Sequence, residues 1–253
     1  MKSNNLTVII VLVLLVTGCN QNSKDYQISP DSNEIAKANL NLGVEYMNRG
    51  DYEQSLETLN KALDADSDYI PTLNALGLLY QKLGENDKAE GYFKRALDKN
   101  KTDPNTLNNY GLFLCKLGRY EQAQKYFESA SKNPLYSTPE ISLANAGTCA
   151  LQNNNPDDAD KFYRKALEKN PKISIALINM SQISYDKGNY LSARGYLQRY
   201  LAVAKHTPKS LWLGIQIEQQ LGDKNTLSSY ILLLKNRFPD SDEAAMLRKS
   251  GIK

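Results

Sequence analysis

Residues 76–96 read LGLLYQKLGENDKAEGYFKRA, and the order of small, aromatic and turn residues in this segment returns at a fixed period along the chain. Its leading small residue, Gly77, lies 34 positions after Gly43 and 34 before Gly111. A turn glycine, an alanine, an aromatic residue or leucine, and a second alanine follow at fixed offsets. With three less regular copies, the pattern occurs six times between residues 36 and 241.

Each copy is predicted to fold as two antiparallel helices joined by a short turn. In the second copy the turn falls at Gly84, because glycine ends a helix at low steric cost. Gly77 lets the two helices approach closely, and Phe93 fills the space between them. Neither helix buries its apolar face alone, so successive copies must stack into one continuous core.

The period and the residue types resemble those of the tetratricopeptide repeat (TPR). This resemblance implies an all-α fold, a TPR solenoid that forms a right-handed superhelix of about six helix–turn–helix repeats. We expect the repeats to occupy residues 34–241 and a polar C-terminal cap to occupy residues 242–253.

A secretory signal precedes the repeats. Lys2 is followed by an uncharged run from residue 6 to residue 16, too short for a membrane span, and then by Cys19. Residues 16–19, Val-Thr-Gly-Cys, resemble a bacterial lipobox, which implies cleavage after residue 18 and acylation of Cys19. An ordinary signal peptide with an incidental cysteine is the alternative. Asn20, rather than aspartate, is typical of outer-membrane lipoproteins, and the polar residues 19–33 would form a tether.

Composition argues against nucleic-acid binding and catalysis. Removal of residues 1–18 takes away one lysine, which leaves a formal charge of 31 − 1 − 28 = +2, too balanced to attract nucleic acid. No zinc-type cluster, P-loop or nucleophile elbow occurs, and the only histidine, His206, is predicted to lie in a solvated loop. We therefore predict a monomeric non-enzyme with no metal, cofactor or small-molecule substrate.

Three segments carry a closer resemblance than the repeats do. Residues 109–115 read NYGLFLC, residues 133–140 read NPLYSTPE, and residues 145–150 read NAGTCA. They resemble the PilF/PilW family of type IV pilus biogenesis lipoproteins, and the likeness extends from the lipobox through all six repeats. The family implies an outer-membrane pilotin that faces the periplasm and is needed for the pilus secretin to reach the outer membrane or to multimerise, or for pilus stability. A lipid-anchored scaffold for other envelope machinery, such as peptidoglycan enzymes, is the alternative.

A concave groove lined by the first helix of each repeat is the predicted binding site. Two classes of residue recur there, asparagines placed two positions before the small residue and an apolar strip in repeats one to three. They are Asn41, Asn109, Asn145 and Asn179, and Val44, Met47, Leu78 and Leu112. Amides can pair with the backbone of an extended peptide, and exposed apolar strips usually mark a protein contact. The alternative for the asparagines is a role in intramolecular hydrogen bonds.

Two cysteines are predicted to join repeats three and four. Cys149 follows Cys115 by one repeat period, and both fall in the third turn of the first helix of their repeat. Neighbouring first helices lie side by side in such a stack, close enough for a disulfide, and an exported protein meets an oxidising compartment. Two reduced cysteines buried as small hydrophobic residues are the alternative.

Overall fold

The computed structural model of the protein describes residues 31–252, which fold into thirteen α-helices with no β-strand in that range. The all-α prediction is confirmed. The helices are α1 Ser32–Arg49, α2 Tyr52–Ala65, α3 Ile70–Lys82, α4 Asn86–Lys99, α5 Pro104–Lys116, α6 Tyr120–Lys132, α7 Pro139–Gln152, α8 Pro156–Lys169, α9 Ser174–Asp186, α10 Tyr190–Leu201, α11 Pro208–Leu221, α12 Lys224–Arg237 and α13 Asp242–Ser250.

The first twelve helices form six consecutive pairs. Within a pair the helices are joined by only two or three residues, and each first helix also contacts the first helix of the next pair. The turn glycines have positive φ, for example +79° at Gly84 and +74° at Gly118, which is the left-handed conformation that glycine adopts without strain. In the fourth pair Asn154 takes this place with a φ of 53°, and asparagine is among the residues that tolerate it best.

The small residues of the first helices are in tight contact with the second helices, as predicted. A Cβ atom added to Gly77 would lie 2.8 Å from Cε1 of Phe93, a fully buried side chain. The same contact, at the same separation along the chain, is made in five repeats. The pairs are Gly43 with Leu59, Gly77 with Phe93, Gly111 with Phe127, Gly147 with Tyr163, and Gly214 with Tyr230.

A carboxylate network links repeats two and three. Glu90 of α4 accepts hydrogen bonds from the Tyr110 hydroxyl at 2.8 Å and from Arg119 Nη1 at 2.9 Å, and its Oε1 lies 2.8 Å from Lys94 Nζ. Burial raises the pKa of this carboxyl, but the hydrogen bonds from Lys94, Arg119 and Tyr110 together outweigh burial and lower the pKa to about 2. Glu90 therefore remains charged and ties α4 to α5 and to the turn between α5 and α6.

Cys115 and Cys149 are joined in a disulfide that connects α5 to α7, with their Cα atoms 5.8 Å apart. Between these helices the loop of residues 133–138 is longer than the corresponding loops of repeats one and two. The disulfide therefore holds together the first helices of the two repeats that this longer loop connects.

Two details differ from expectation. Helix α1 begins at Ser32, so the last two residues of the predicted tether, Ser32 and Asn33, are helical. Glu34 in the first turn favours this start because a negative charge interacts well with a helix N-terminus. His206 is half-buried, with its ring edge-on to Tyr230 at 5.6 Å, so the prediction of a solvated loop residue is wrong. Burial lowers the pKa of this imidazole, with a smaller contribution from the charge of Arg237.

The C-terminal end of the stack is covered by α13, which packs Ala244 and Leu247 against α11 and α12. Residues 1–30, which include Cys19 and the lipobox, lie outside the described residues.

Candidate partner-binding groove

The first three repeats enclose a cleft of about 810 Å³, here called the N-terminal cleft. Helices α1, α3 and α5 form its walls, and the α2–α3 and α4–α5 loops form its rim. These are the first helices of three successive repeats. The cleft therefore lies on the face where the sequence predicts a binding groove.

Apolar side chains form the floor of the N-terminal cleft. Val44 and Leu78, two members of the predicted strip, are half-buried and line it. Met47 also lines it but is only 6% exposed, so it belongs mainly to the core beneath. Ile70 and Pro71, at the start of α3, extend the apolar surface toward the rim. Such a surface releases ordered water when an apolar partner covers it.

The first two of the four predicted asparagines line this cleft. Asn41 is exposed on α1, and Asn109 is half-buried on α5. Leu112, one helical turn beyond Asn109, is 39% exposed and does not line the cleft. The apolar strip of the N-terminal cleft therefore ends before Leu112.

The other two predicted asparagines lie outside the N-terminal cleft and form intramolecular hydrogen bonds. Asn145 Nδ2 donates to Asn108 Oδ1 at 3.0 Å and so links α7 to α5. Asn179 Nδ2 lies 2.9 Å from both the Tyr163 hydroxyl oxygen and the Ile175 carbonyl oxygen. At these two positions the amides hold neighbouring helices together.

Three aspartates form the rim of the N-terminal cleft, and no lysine or arginine is among its lining residues. They are Asp66 and Asp68 in the α2–α3 loop and Asp103 at the start of α5. Asp68 Oδ1 lies 2.7 Å from Lys99 Nζ, and this hydrogen bond lowers the pKa of the carboxyl. Asp66 and Asp103 form no ion pair with any described residue, so these two carboxylates supply the unpaired negative charge of the rim around an apolar floor.

A hydrogen-bonded chain fixes one wall of the cleft. The Thr106 hydroxyl donates to Asp103 at 2.6 Å and, with its single proton used, accepts from Asn74 Nδ2 at 2.7 Å. Asn74 is only 7% exposed, and its Oδ1 has no hydrogen-bond partner among the described residues. The chain bridges α3 and α5, so the wall is preorganised before any partner arrives.

Neither a metal centre nor a membrane span is found in residues 31–252. No three His, Cys, Asp or Glu side chains there are grouped so that they could hold a metal ion. None of the helices in the same range combines the length and apolar character needed to cross a bilayer.

Comparison with known proteins identifies the family. The tetratricopeptide repeat family matches residues 34–101, 92–125, 114–172 and 145–208. Over 237 residues the chain is 30% identical to the type IV pilus assembly protein PilF of Pseudomonas aeruginosa, covering 93% of this chain and 94% of that protein. The chain belongs to the PilF family.

Solved structures agree with this assignment to the PilF family. The structure of Pseudomonas aeruginosa PilF superimposes with a TM-score of 0.77 at 30% identity and covers 87% of this chain and 99% of that one. The crystal structure of PilW, a widely conserved type IV pilus biogenesis factor, superimposes with a TM-score of 0.74 at 28% identity. It covers 85% of this chain and 99% of that one. The chain is thus a TPR protein of type IV pilus assembly, a role that involves protein–protein contacts.

The acidic rim is not among the residues that the sequence predicts for the groove. Asp66, Asp68 and Asp103 lie in loops that follow second helices, where charged residues are usually only solvated. The sequence does carry a signal for this rim. Asp103 stands immediately before the first helix of repeat three, and Asp68 stands two residues before the first helix of repeat two.

Proposed function

We propose that this member of the PilF family is a lipid-anchored adaptor of the outer membrane that binds a segment of the pilus secretin in its N-terminal cleft. Binding there would bring the secretin subunit to the outer membrane or promote its multimerisation. The adaptor would act by binding alone, as a monomer without a cofactor.

The N-terminal cleft is the observation that carries this proposal. Its volume of about 810 Å³ accommodates several side chains, and its apolar floor provides the non-directional attraction that drives most association. The acidic rim adds a preference for a segment whose apolar side chains are flanked by lysine or arginine, since complementary charge selects the partner and its register. Because Asp103, Thr106 and Asn74 fix the wall, little ordering cost remains at binding.

The anchor would be Cys19, and the spacing along the chain favours a role close to the membrane. Only residues 20–31 separate Cys19 from Ser32, the first residue of α1. A chain of that length spans at most about 45 Å. Acyl chains bind a bilayer by about 0.8 kcal/mol per buried CH₂ group, so several on one cysteine would hold the cleft-forming repeats near the outer membrane.

The test is affinity purification of the tagged protein from detergent-solubilised outer membranes, with the secretin quantified in the eluate and its multimers quantified in cells. Asn41→Trp fills the cleft from an exposed position, so the fold is not at risk. Leu78→Asp places a carboxylate on the floor, where it loses its hydration against an apolar partner. Leu112→Asp is the matched control, because Leu112 is exposed but outside the cleft lining.

We expect both cleft variants to lose at least about tenfold in recovered secretin, which corresponds to about 1.4 kcal/mol, and the control to behave as wild type. Full recovery by Asn41→Trp would show that the secretin contacts another surface. If deletion of the gene left secretin multimers and twitching motility intact, a scaffold for other envelope machinery would replace the pilotin role.

A further inference from the structure

A second cleft lies on the side of repeat three formed by its second helix. It has a volume of about 630 Å³ and is formed by α6, the start of α5, and the α4–α5 and α6–α7 loops. Tyr126 contributes apolar surface, Leu107, only 5% exposed, lies at its base, and Lys101, Lys125 and Lys132 surround it. We call it the lysine cleft. The α4–α5 loop separates it from the N-terminal cleft, since Lys101 lines the lysine cleft and Asp103 the N-terminal cleft.

Leu135 stands at the edge of the lysine cleft with 89% of its surface exposed, the largest fraction among the exposed large apolar side chains of the described residues. The loop that presents it is well bonded. Asn133 Nδ2 donates to the Thr102 carbonyl at 2.7 Å, and Asn133 Oδ1 accepts from the Leu135 amide at 2.9 Å. The next residue, Tyr136, is buried and anchors the loop. Leu135 is therefore held out in a defined position.

The charge of the lysine cleft is opposite to that of the N-terminal cleft. Its lining includes three lysines and no carboxylate. Lys101 and Lys125 form no ion pair with any described residue, and Lys132 has only Glu128, at 3.9 Å. These ammonium groups are thus available to a partner, and clustered charge of one sign around a cavity raises the local concentration of the opposite charge.

We propose that the lysine cleft is a second docking site, which takes an acidic protein segment with an apolar side chain. Carboxylates of the segment pair with the three lysines, and its apolar side chain packs between Leu135 and Tyr126. The concave shape selects a protein segment over a bilayer, whose surface cannot enter it. It also selects against the N-terminal cleft of a second copy, because two concave surfaces cannot fill each other. The protein can thereby hold two segments of opposite charge at once.

The test uses a fluorescein-labelled peptide of alternating glutamate and leucine, and a control peptide with glutamine in place of glutamate. Binding to the full mature chain carrying Cys19→Ser is followed by fluorescence anisotropy at increasing salt. The cleft variants are Lys125→Glu and Leu135→Ser. The matched controls are Lys116→Glu, on α5 outside the cleft, and Leu191→Ser, exposed on α10.

We expect the acidic peptide to bind, and its Kd to rise at least about tenfold in each cleft variant and also with added salt, while both controls match the parent protein. Absence of binding, equal affinity for the glutamine peptide, or unchanged affinity in the cleft variants would overturn the proposal. Two further outcomes would also overturn it. In the first, the protein sediments with phosphatidylglycerol vesicles and the Leu135→Ser variant does not, which would indicate a membrane contact. In the second, sedimentation velocity shows a dimer that is lost in the same variant, which would indicate that the cleft binds a second copy of this chain.

Discussion

Replacing glycine with alanine should have opposite effects on stability at two positions of repeat two. At Gly77, an added Cβ atom would lie 2.8, 2.9 and 3.0 Å from three ring carbons of Phe93, whereas ordinary contacts begin near 3.4 Å. The ring would have to move by 3.4 − 2.8 = 0.6 Å. Phe93 is fully buried and has Tyr110 and Phe113 as aromatic neighbours, with ring centroids 5.8 and 5.5 Å away. At Gly91, on α4, an added Cβ would meet nothing within 4 Å.

Overpacking of this kind costs about 1–3 kcal/mol, and alanine recovers about 1 kcal/mol over glycine inside a helix. Gly77→Ala should therefore lower the free energy of unfolding by about 1 kcal/mol, since steric cost exceeds the propensity gain. Gly91→Ala has the gain in helix propensity without the steric cost, so it should raise the free energy of unfolding by up to about 1 kcal/mol. For a chain of this size the two variants should differ in Tm by about 4–8 °C.

The assay is urea and thermal unfolding followed by circular dichroism. Repeat arrays do not always unfold in one step, so amide hydrogen exchange in α3 and α4 is measured as well. We expect faster exchange in Gly77→Ala and slower exchange in Gly91→Ala. If Gly77→Ala were as stable as Gly91→Ala, the close glycine–aromatic contact would not limit the packing of the helix pairs.

Three further predictions concern the disulfide, the anchor and acid stability. The double variant Cys115→Ser with Cys149→Ser should lose about 3–4 kcal/mol of its free energy of unfolding and melt at lower temperature, because the disulfide closes a loop of roughly 34 residues. Two alkylatable thiols in unreduced wild-type protein, seen by intact-mass measurement, would contradict this. Cys19→Ala should stay folded but leave the outer-membrane fraction and incorporate no labelled palmitate. Because the folded-state pKa of Glu90 is lowered from 4.5 to about 2, its contribution to stability is present above about pH 4.5 and lost as pH falls toward 2. Glu90→Gln should therefore show a shallower loss of urea stability between those pH values, and an unchanged slope would contradict the assignment.

Much of the fold follows from residue types that have one physical use. A glycine that must adopt positive φ, such as Gly84, and a glycine that must contact an aromatic ring, such as Gly77, recur at fixed spacing and define the helix pairs. Repeat six shows where this signal weakens. Its Gly214–Tyr230 contact keeps the spacing of the other repeats, but much of the surrounding pattern is degenerate, so the sequence locates this repeat less sharply.

The candidate site could be predicted only in part. Asn41, Val44 and Leu78 lie on the face that carries the N-terminal cleft because helical periodicity determines which face a residue occupies. Periodicity does not say where a cleft ends, so Leu112 was included although it lies outside the lining. Nor does it describe loops. The acidic rim and the lysine cleft both depend on segments between helices, whose positions follow from the three-dimensional stacking of the repeats.

The most direct test of the adaptor role is site-specific photo-cross-linking in living cells. Benzoylphenylalanine is placed at Asn41, inside the N-terminal cleft, and in a second strain at Lys165, an exposed position on α8 that does not line this cleft. After irradiation, secretin adducts are quantified by immunoblot and the cross-linked segment is identified by mass spectrometry. We expect a secretin adduct from position 41, with lysine or arginine flanking apolar residues in the captured segment, and none from position 165. An absence of secretin adduct at position 41 while secretin multimers assemble normally, or equal adducts from both positions, would show that the N-terminal cleft does not bind the secretin.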